Sequence, residues 1–344
     1  MYLRFKITSL EDALNNQLKK LHEKYDLMGQ DLSAYLDGLL LSNYLTYWDY
    51  VQLDTLLTLQ NPKTDFPDES IFIMYHQITE LYFKLTLHEL DQVSRNGKVI
   101  EANGQVKGWN EKLNLTFFIQ RLKRINGYFE ALTTSFDIMI NGMEKEQFTR
   151  FRMALLPASG FQSAQYRMIE ICSTDLRNLV ALDDRITLQE EENIDTLFEH
   201  IYWKNGATEL ETGKKTLTLK QFEKKYSAKL KTLAAEYQER NLWAKYQSLS
   251  KADQANEELI KEMRQFDINV NVNWPLSHYK SAVRYLASKD GNAPATGGTN
   301  WQKYLPPRFQ KRIFFPALWS SEEFDNWGRG WVESVLATSI VVEK

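Results

Sequence analysis

Residues Glu69 to Val93 read ESIFIMYHQITELYFKLTLHELDQV, with no glycine or proline among them. Large apolar side chains recur at three- and four-residue spacings and also fall between those positions. The stretch is therefore expected to form a long helix buried on most sides, the best core candidate in the chain. Outward from it the same spacing continues. Asn110 to Ile140 reads as a second long helix, Leu10 to Tyr25 as another, and Ala34 to Gln60 as a pattern closed by Asn61-Pro62. Tyr2 to Phe5 suit a short packed segment. Asn96-Gly97 and Asn103-Gly104 mark a connection. Glu144 to Ala154 gives a short helix broken at Pro157 to Gly160, and Phe161 to Leu179 resumes it. Leu188 to Trp203 and Leu219 to Tyr246 form an expected helical pair around NGATELETGKK, with a further helix near Asn256 to Phe266 and one carrying His278 that ends near Leu286. With only 15 Gly and 8 Pro in 344 residues, the fold is expected to be all-α, a single large helical-bundle domain over 1–344.

A formal charge of −3 gives no global attraction to nucleic acid. The basic run KKTLTLKQFEKKYSAKLK (Lys214 to Lys231) interleaves its lysines with Leu, Phe and Tyr at helical spacing, so a solvated helix face is favoured over an RNA-binding strip. Cys172 is the only cysteine, which rules out an intrachain disulfide and any multi-cysteine metal site. The first residues, MYLRFKITSLEDAL, lack the apolar core of a signal peptide, and no apolar run approaches a membrane span. A cytoplasmic protein is expected, with neither nucleic acid nor membrane as partner.

Few residues can carry chemistry. Phe72, His76 and Glu80 are spaced by four and share one helix face. On spacing alone His76 is more economically a core histidine satisfied by backbone, and His88 on the same helix cannot be separated from it. Arg152 precedes the apolar run Met153 to Leu156, so its guanidinium can be drawn inside, where it needs an anionic partner, a protein carboxylate or a substrate. The PASG turn offers the Ser159 hydroxyl and, at Gly160, close backbone approach, or it is simply a helix corner. His278 lies in WPLSHYKSAVRYL, followed by a loop whose Thr296, Gly297, Gly298 and Thr299 supply hydroxyls and unhindered N–H groups. No CxxCH motif exists, so any haem would be held non-covalently.

TYWDYVQLDTLLTLQ (Thr46 to Gln60), DESIFIMYHQITELYFKLTLHEL (Asp68 to Leu90), FRMALLPASGFQSAQYRMIE (Phe151 to Glu170), the His278 segment and FFPALW (Phe314 to Trp319) together resemble the tryptophan 2,3-dioxygenase family. The resemblance implies a haem b enzyme that adds both atoms of O2 across the indole C2–C3 bond of L-tryptophan to give N-formyl-L-kynurenine. It implies that His278 is the axial iron ligand and that His76 is the catalytic histidine on the opposite face, bonding the indole N–H. Phe72 and Phe148 would wall the indole, Arg152 would clamp the substrate carboxylate, Thr296 would hold the ammonium, and Ser159 and Gly160 would border the haem. Tyr47, Tyr50 and Val51 would reach a neighbouring subunit's site from an intersubunit segment, 1–60, in a homotetramer. The sequence departs from the family pattern at Ala295, where glycine is usual, at Trp48-Asp49, and at Tyr82, where tryptophan is frequent. Residues 188–265 match poorly and are expected to be a helical insertion.

Two rival functions share much of this pattern. A haem-dependent monooxygenase of a modified tryptophan or another aromatic amino acid would add one oxygen atom rather than two. A non-catalytic haem or tryptophan sensor would not require Arg152, His76 and His278 together.

Overall fold

The computed structural model describes residues 2–101, 103–155, 160–209, 212–287 and 301–328. They fall into two compact units, Met1–Gln60 and Asn61–Lys344. The larger unit is built around the helix Pro67–Ser94. Pro67 opens it where a missing N–H is harmless, and Asp68 and Glu69 complement the positive end of its dipole. Leu115–Ser135 and Ala164–Ser173 pack on it, Glu257–Ile268 packs on Leu115–Ser135, and Leu217–Tyr237 packs on Ala164–Ser173. Phe83, Leu122, Phe129, Phe266 and Phe314 are fully buried at the centre. Removing such rings from water is the dominant favourable contribution to the fold.

The core helix is less enclosed than its sequence suggests. Tyr75, Phe83, Leu90 and Val93 are buried, but Met74, Ile78, Leu81 and Leu85 lie exposed along another face. The helix ends where Asn96 (φ 64°) and Gly97 (φ 78°) turn left-handed. The positive φ favours glycine at 97, and a Cβ there would also stand 2.9 Å from the Phe117 ring, which would have to shift. The connection beyond it is a short antiparallel ribbon, Lys98–Ile100 with Val106–Trp109, which the sequence reading missed. The rest of the described residues contain no other sheet, and the fold is all-α.

Several long apolar patterns prove to be interrupted, and the cause is repeatedly a polar cap. Asn114 accepts from Phe117 N–H (3.0 Å), so the helix expected from Asn110 starts at Leu115, and it ends at Ser135. Ser163 and Asp175 divide Phe161 to Leu179 into the α-helix Ala164–Ser173 and a 3-10 turn, Leu176–Leu179. Asn193 caps Ile194–Glu199, so no α-helix forms from Leu188, and Asn241 separates Leu217–Tyr237 from Leu242–Gln247. In the smaller unit, Thr46 caps Tyr47–Val51 and a left-handed Gln52 (φ 54°) precedes Leu53–Leu56, breaking the pattern expected from Ala34 to Gln60. Short polar side chains compete for backbone N–H groups, and periodicity alone does not register that competition. The unit's first helix instead runs unbroken over Tyr2–Leu27 and absorbs the segment Tyr2 to Phe5. No helix among the described residues is long and apolar enough to cross a membrane.

Glu257–Ile268 continues through a π-helical turn, Asn269–Asn273, into Trp274–Leu286. Such turns re-aim the helix that follows. Asn269 anchors this one: its amide donates to Asn126 (3.2 Å), and its oxygen accepts from Gln265 (3.1 Å) and Asn273 (2.9 Å). Two residues before Asn269, buried Asp267 accepts from the backbone N–H of Phe314 (2.9 Å) and Phe315 (3.2 Å) and from the Trp319 indole (3.0 Å). The FFPALW segment is thereby tied to the helix that leads to His278.

Candidate functional site

A cavity of about 310 Å³ lies among the helices carrying His76 and His278, the segment Gly160 to Arg167, Tyr202 to Gly206, and Trp301 to Arg312. Its walls are largely aromatic, with Phe83, Phe136, Phe161, Trp203 and Trp274 among the lining residues. His76 Nδ1 lies 2.7 Å from the Phe72 carbonyl and His278 Nδ1 lies 2.9 Å from the Trp274 carbonyl. A carbonyl oxygen can only accept, so each Nδ1 carries the proton and each neutral ring keeps its lone pair at Nε2. Burial pushes His278 down to about 4, against the Trp274 carbonyl and with a further push from His76. Burial also lowers His76, opposed by the Phe72 carbonyl and the Glu80 carboxylate. Both imidazoles are thus held neutral near pH 7. The His278 ring sits between Phe136 and Trp274, with centroids at 4.5 and 4.6 Å.

From His76 a chain of rings leads outward. Phe72 lies 4.1 Å from the imidazole, and Phe148 and Phe151 follow at 6.3 and 5.9 Å from Phe72. Arg152 directly follows the helix Lys145–Phe151, half-buried, and burial lowers its pKa. Phe72, Phe148 and Arg152 are not among the described residues on the cavity wall, whereas Gly160 is. A Cβ at Gly160 would come within 3.9 Å of His76 Nε2, so the glycine keeps space open beside that nitrogen. Ser159, Ala295 and Thr296 lie outside the described residues. In the smaller unit, Tyr47 and Tyr50 are 71% and 77% exposed, and Val51 ends their short helix, exposed as well.

The remaining histidines separate cleanly. His88 is exposed, His22 pairs with Asp26 at the surface, and His200 pairs with Asp184. Of the chain's five histidines, only His76 and His278 line the cavity.

The profile of the tryptophan 2,3-dioxygenase family matches residues 39–274. The chain belongs to that family. It is 27% identical to the tryptophan 2,3-dioxygenase of Bradyrhizobium diazoefficiens over 288 residues, 81% of this chain and 92% of that protein. To the tryptophan 2,3-dioxygenase of a Nocardioides species it is 30% identical over 280 residues, covering 80% and 92% of the two chains. Over a shorter stretch of 129 residues, 37% of this chain and 40% of the relative, it is 39% identical to the tryptophan 2,3-dioxygenase of a Ruegeria species. It is accordingly an oxidoreductase of the tryptophan dioxygenase type.

The family match runs through 188–265, the stretch read from sequence only as helical. That stretch supplies Tyr202, Trp203 and Gly206 to the cavity wall. Sequence reasoning also missed Tyr166, Arg167, Glu170 and Arg312. Arg167 and Glu170 carried a signal in being three residues apart on one helix face, where they pair at 3.0 Å. Arg312 carried none, standing alone between Lys311 and the FF pair far along the chain.

Proposed function

We propose that the cavity holds haem b and that the enzyme converts L-tryptophan and O2 to N-formyl-L-kynurenine. The observation that carries this reading is the pair of neutral imidazoles, each locked at Nδ1 to its own helix and each on the wall of one aromatic cavity. An unprotonated ring nitrogen backed by a hydrogen bond at the other nitrogen is what an iron ligand requires, and a largely aromatic enclosure suits a porphyrin. His278 Nε2 would ligate the iron, and Gly160 and Ser159 would border the ring. The haem would supply the binding and activation of O2.

The chain's own residues supply selection and orientation. His76 Nε2, facing the space that Gly160 leaves open, accepts the indole N–H, and Phe72 and Phe148 flank the ring behind it. Arg152 clamps the substrate carboxylate through the planar two-bond geometry that a guanidinium offers, and Thr296 holds the ammonium. Holding the indole in one pose converts an encounter into a positioned reaction, while the aromatic walls keep water out.

The single haem-binding domain is completed, in this reading, by neighbouring copies in a homotetramer. The exposed row Met74, Ile78, Leu81 and Leu85, and the exposed Leu39, Leu40, Tyr44, Tyr47 and Tyr50 of the 1–60 unit, are apolar surfaces of the kind an interface covers. Residues 1–60 serve as the intersubunit segment, bringing Tyr47, Tyr50 and Val51 to a partner's site.

The test is direct. Haem-loaded protein is reduced without air, mixed with L-tryptophan, then aerated, and formylkynurenine is followed by absorbance and mass. A gain of two oxygen atoms is expected. A gain of one would make the enzyme a monooxygenase, and absence of a Soret band after loading would remove the cofactor assignment.

A further inference from the structure

One wall of the cavity carries a cluster that the histidines, the ring chain and Arg152 leave unexplained. Arg167 and Arg312 are 8% and 7% exposed, and Glu170 between them is fully buried. Arg167 Nη1 donates to Glu170 Oε2 at 3.0 Å and to the Tyr202 hydroxyl at 2.6 Å. Arg312 Nη1 donates to Glu170 Oε1 and to Tyr202, and Tyr202 donates to Glu170 as well. Two guanidinium charges therefore face one carboxylate. The two hydroxyls nearby do not offset the difference, because burial pushes both Tyr166 and Tyr202 upward and keeps them neutral. Glu80, the carboxylate that lines the cavity among the described residues, is half-buried, held by Gln165 at 2.7 Å, and acts on His76.

Among the described residues the cluster thus holds an excess positive charge away from water. Arg167 adds an independent sign of a missing partner, since its Nε is buried with no hydrogen-bond acceptor. The rings of Phe161, Tyr166, Tyr202 and Trp203 surround its guanidinium at 5.2 to 5.7 Å and fix its plane without neutralising it. A buried cation of this kind needs an anion. The opening available for one is the cavity, which Arg167, Arg312, Tyr166 and Tyr202 all line together with His278.

We propose that Arg167 and Arg312 form a carboxylate cradle that takes a propionate of the porphyrin. The proposal rests on the haem reading above. It deepens that reading by naming a polar anchor in addition to the iron ligand, one that sets the rotation of the ring in its pocket. A propionate placed there balances the cluster's charge, and a planar carboxylate suits the fork geometry of both arginines.

Iron-free protoporphyrin IX and its dimethyl ester separate the two ideas, because neither depends on His278 as an iron ligand. The full-length apoprotein is titrated with each, in the absence of tryptophan, by porphyrin fluorescence. The diacid should bind at least tenfold more tightly than the diester. Arg312→Gln should bring that ratio close to one, and Arg312→Lys, which keeps the charge but loses the fork, should retain only part of it. Where Arg312→Gln fails to fold, the wild-type ratio decides alone. Equal affinity of wild type for the two porphyrins would overturn the cradle while leaving haem binding intact, whereas failure to bind haem or either porphyrin would overturn both readings. A porphyrin ratio unchanged by Arg312→Gln, with tryptophan binding weakened tenfold instead, would assign the arginines to the amino-acid carboxylate and overturn the proposal.

Discussion

His76 and His278, on helices far apart in the chain, make the same bond: each Nδ1–H is donated to the carbonyl four residues back, Phe72 at 2.7 Å and Trp274 at 2.9 Å. Both rings line one cavity with Nε2 left as the lone-pair nitrogen. The equivalence makes their substitution an informative pair. His278→Ala is expected to abolish stable haem incorporation, read as loss of the Soret band after reconstitution. His76→Ala is expected to keep the haem and to lose turnover worth about 1–3 kcal/mol, the size of an unmade hydrogen bond in the transition state. Loss of haem from the His76 variant with retention in the His278 variant would exchange the two faces.

The depressed pKa of His278 makes a separate prediction for the apoprotein. With a folded value near 4 and an unfolded value near the ordinary 6.5 of histidine, the unfolded chain binds more protons between those limits. The contribution is therefore fully present above about pH 6.5 and is lost as pH falls toward 4. Asp267, raised to about 6 by burial, works in the opposite sense, since its folded form holds a proton that the unfolded chain has released. Comparing wild type with His278→Ala cancels Asp267. The stability gap between them, from urea midpoints at pH 7 and pH 4, should shift by about 3 kcal/mol at most to the disadvantage of wild type. A gap independent of pH would mean that the ring is solvated.

Asp267 itself joins the helix that leads to His278 to the Phe314 and Phe315 backbone and the Trp319 indole. Asp267→Asn turns one of its acceptors into a donor and strands at least one of those N–H groups. A loss of about 1–3 kcal/mol in unfolding free energy is expected. An unchanged thermal midpoint would show that the strap is held by its aromatic packing alone.

What the sequence disclosed and what it hid divide along physical lines. The core helix was legible because its residues are both apolar and free of breakers. Which of its histidines matters was not: His88 lies twelve residues beyond His76, about a third of a turn past three full turns, and a helix apolar on more than one side gives no bearing from which to measure that rotation. His76 faces the cavity and His88 faces solvent. Caps were visible as residue types, yet Asn114, Asn193 and Asn241 compete with periodicity at each site, and only packing decides the outcome. Arg312 was illegible because its meaning is entirely tertiary, a charge that reaches Glu170 and Tyr202 across long separations in the chain.

Arg152 tests the substrate assignment. Lysine offers a point charge in place of a planar fork, so Arg152→Lys is expected to raise KM for tryptophan about tenfold or more with haem content unchanged. Tryptamine, which lacks the carboxylate, should be a poor substrate of the wild type. Equal kcat/KM for tryptophan and tryptamine would return Arg152 to a purely structural role.

The smaller unit carries the final prediction. Its short helix Tyr47–Val51 is started by Thr46, and its tyrosines are left in solvent at 71% and 77% exposure. None of residues 11–60 is buried within the single chain, so this segment has no core of its own to account for its Leu, Tyr and Trp content. A segment of that composition is stabilised when another surface covers it, and the exposed row Met74, Ile78, Leu81 and Leu85 shows that the larger unit also has apolar surface to cover. If a partner subunit meets these surfaces and Tyr47, Tyr50 and Val51 complete its site, deleting residues 1–50 should cost oligomerisation and tryptophan affinity together. Haem ligation by His278 should survive, because that histidine and its supporting carbonyl belong to the larger unit. Sedimentation, tryptophan titration and the Soret band read the three effects separately. A truncated monomer that binds tryptophan normally would refute the shared site, as would a full-length enzyme fully active when diluted to a monomer.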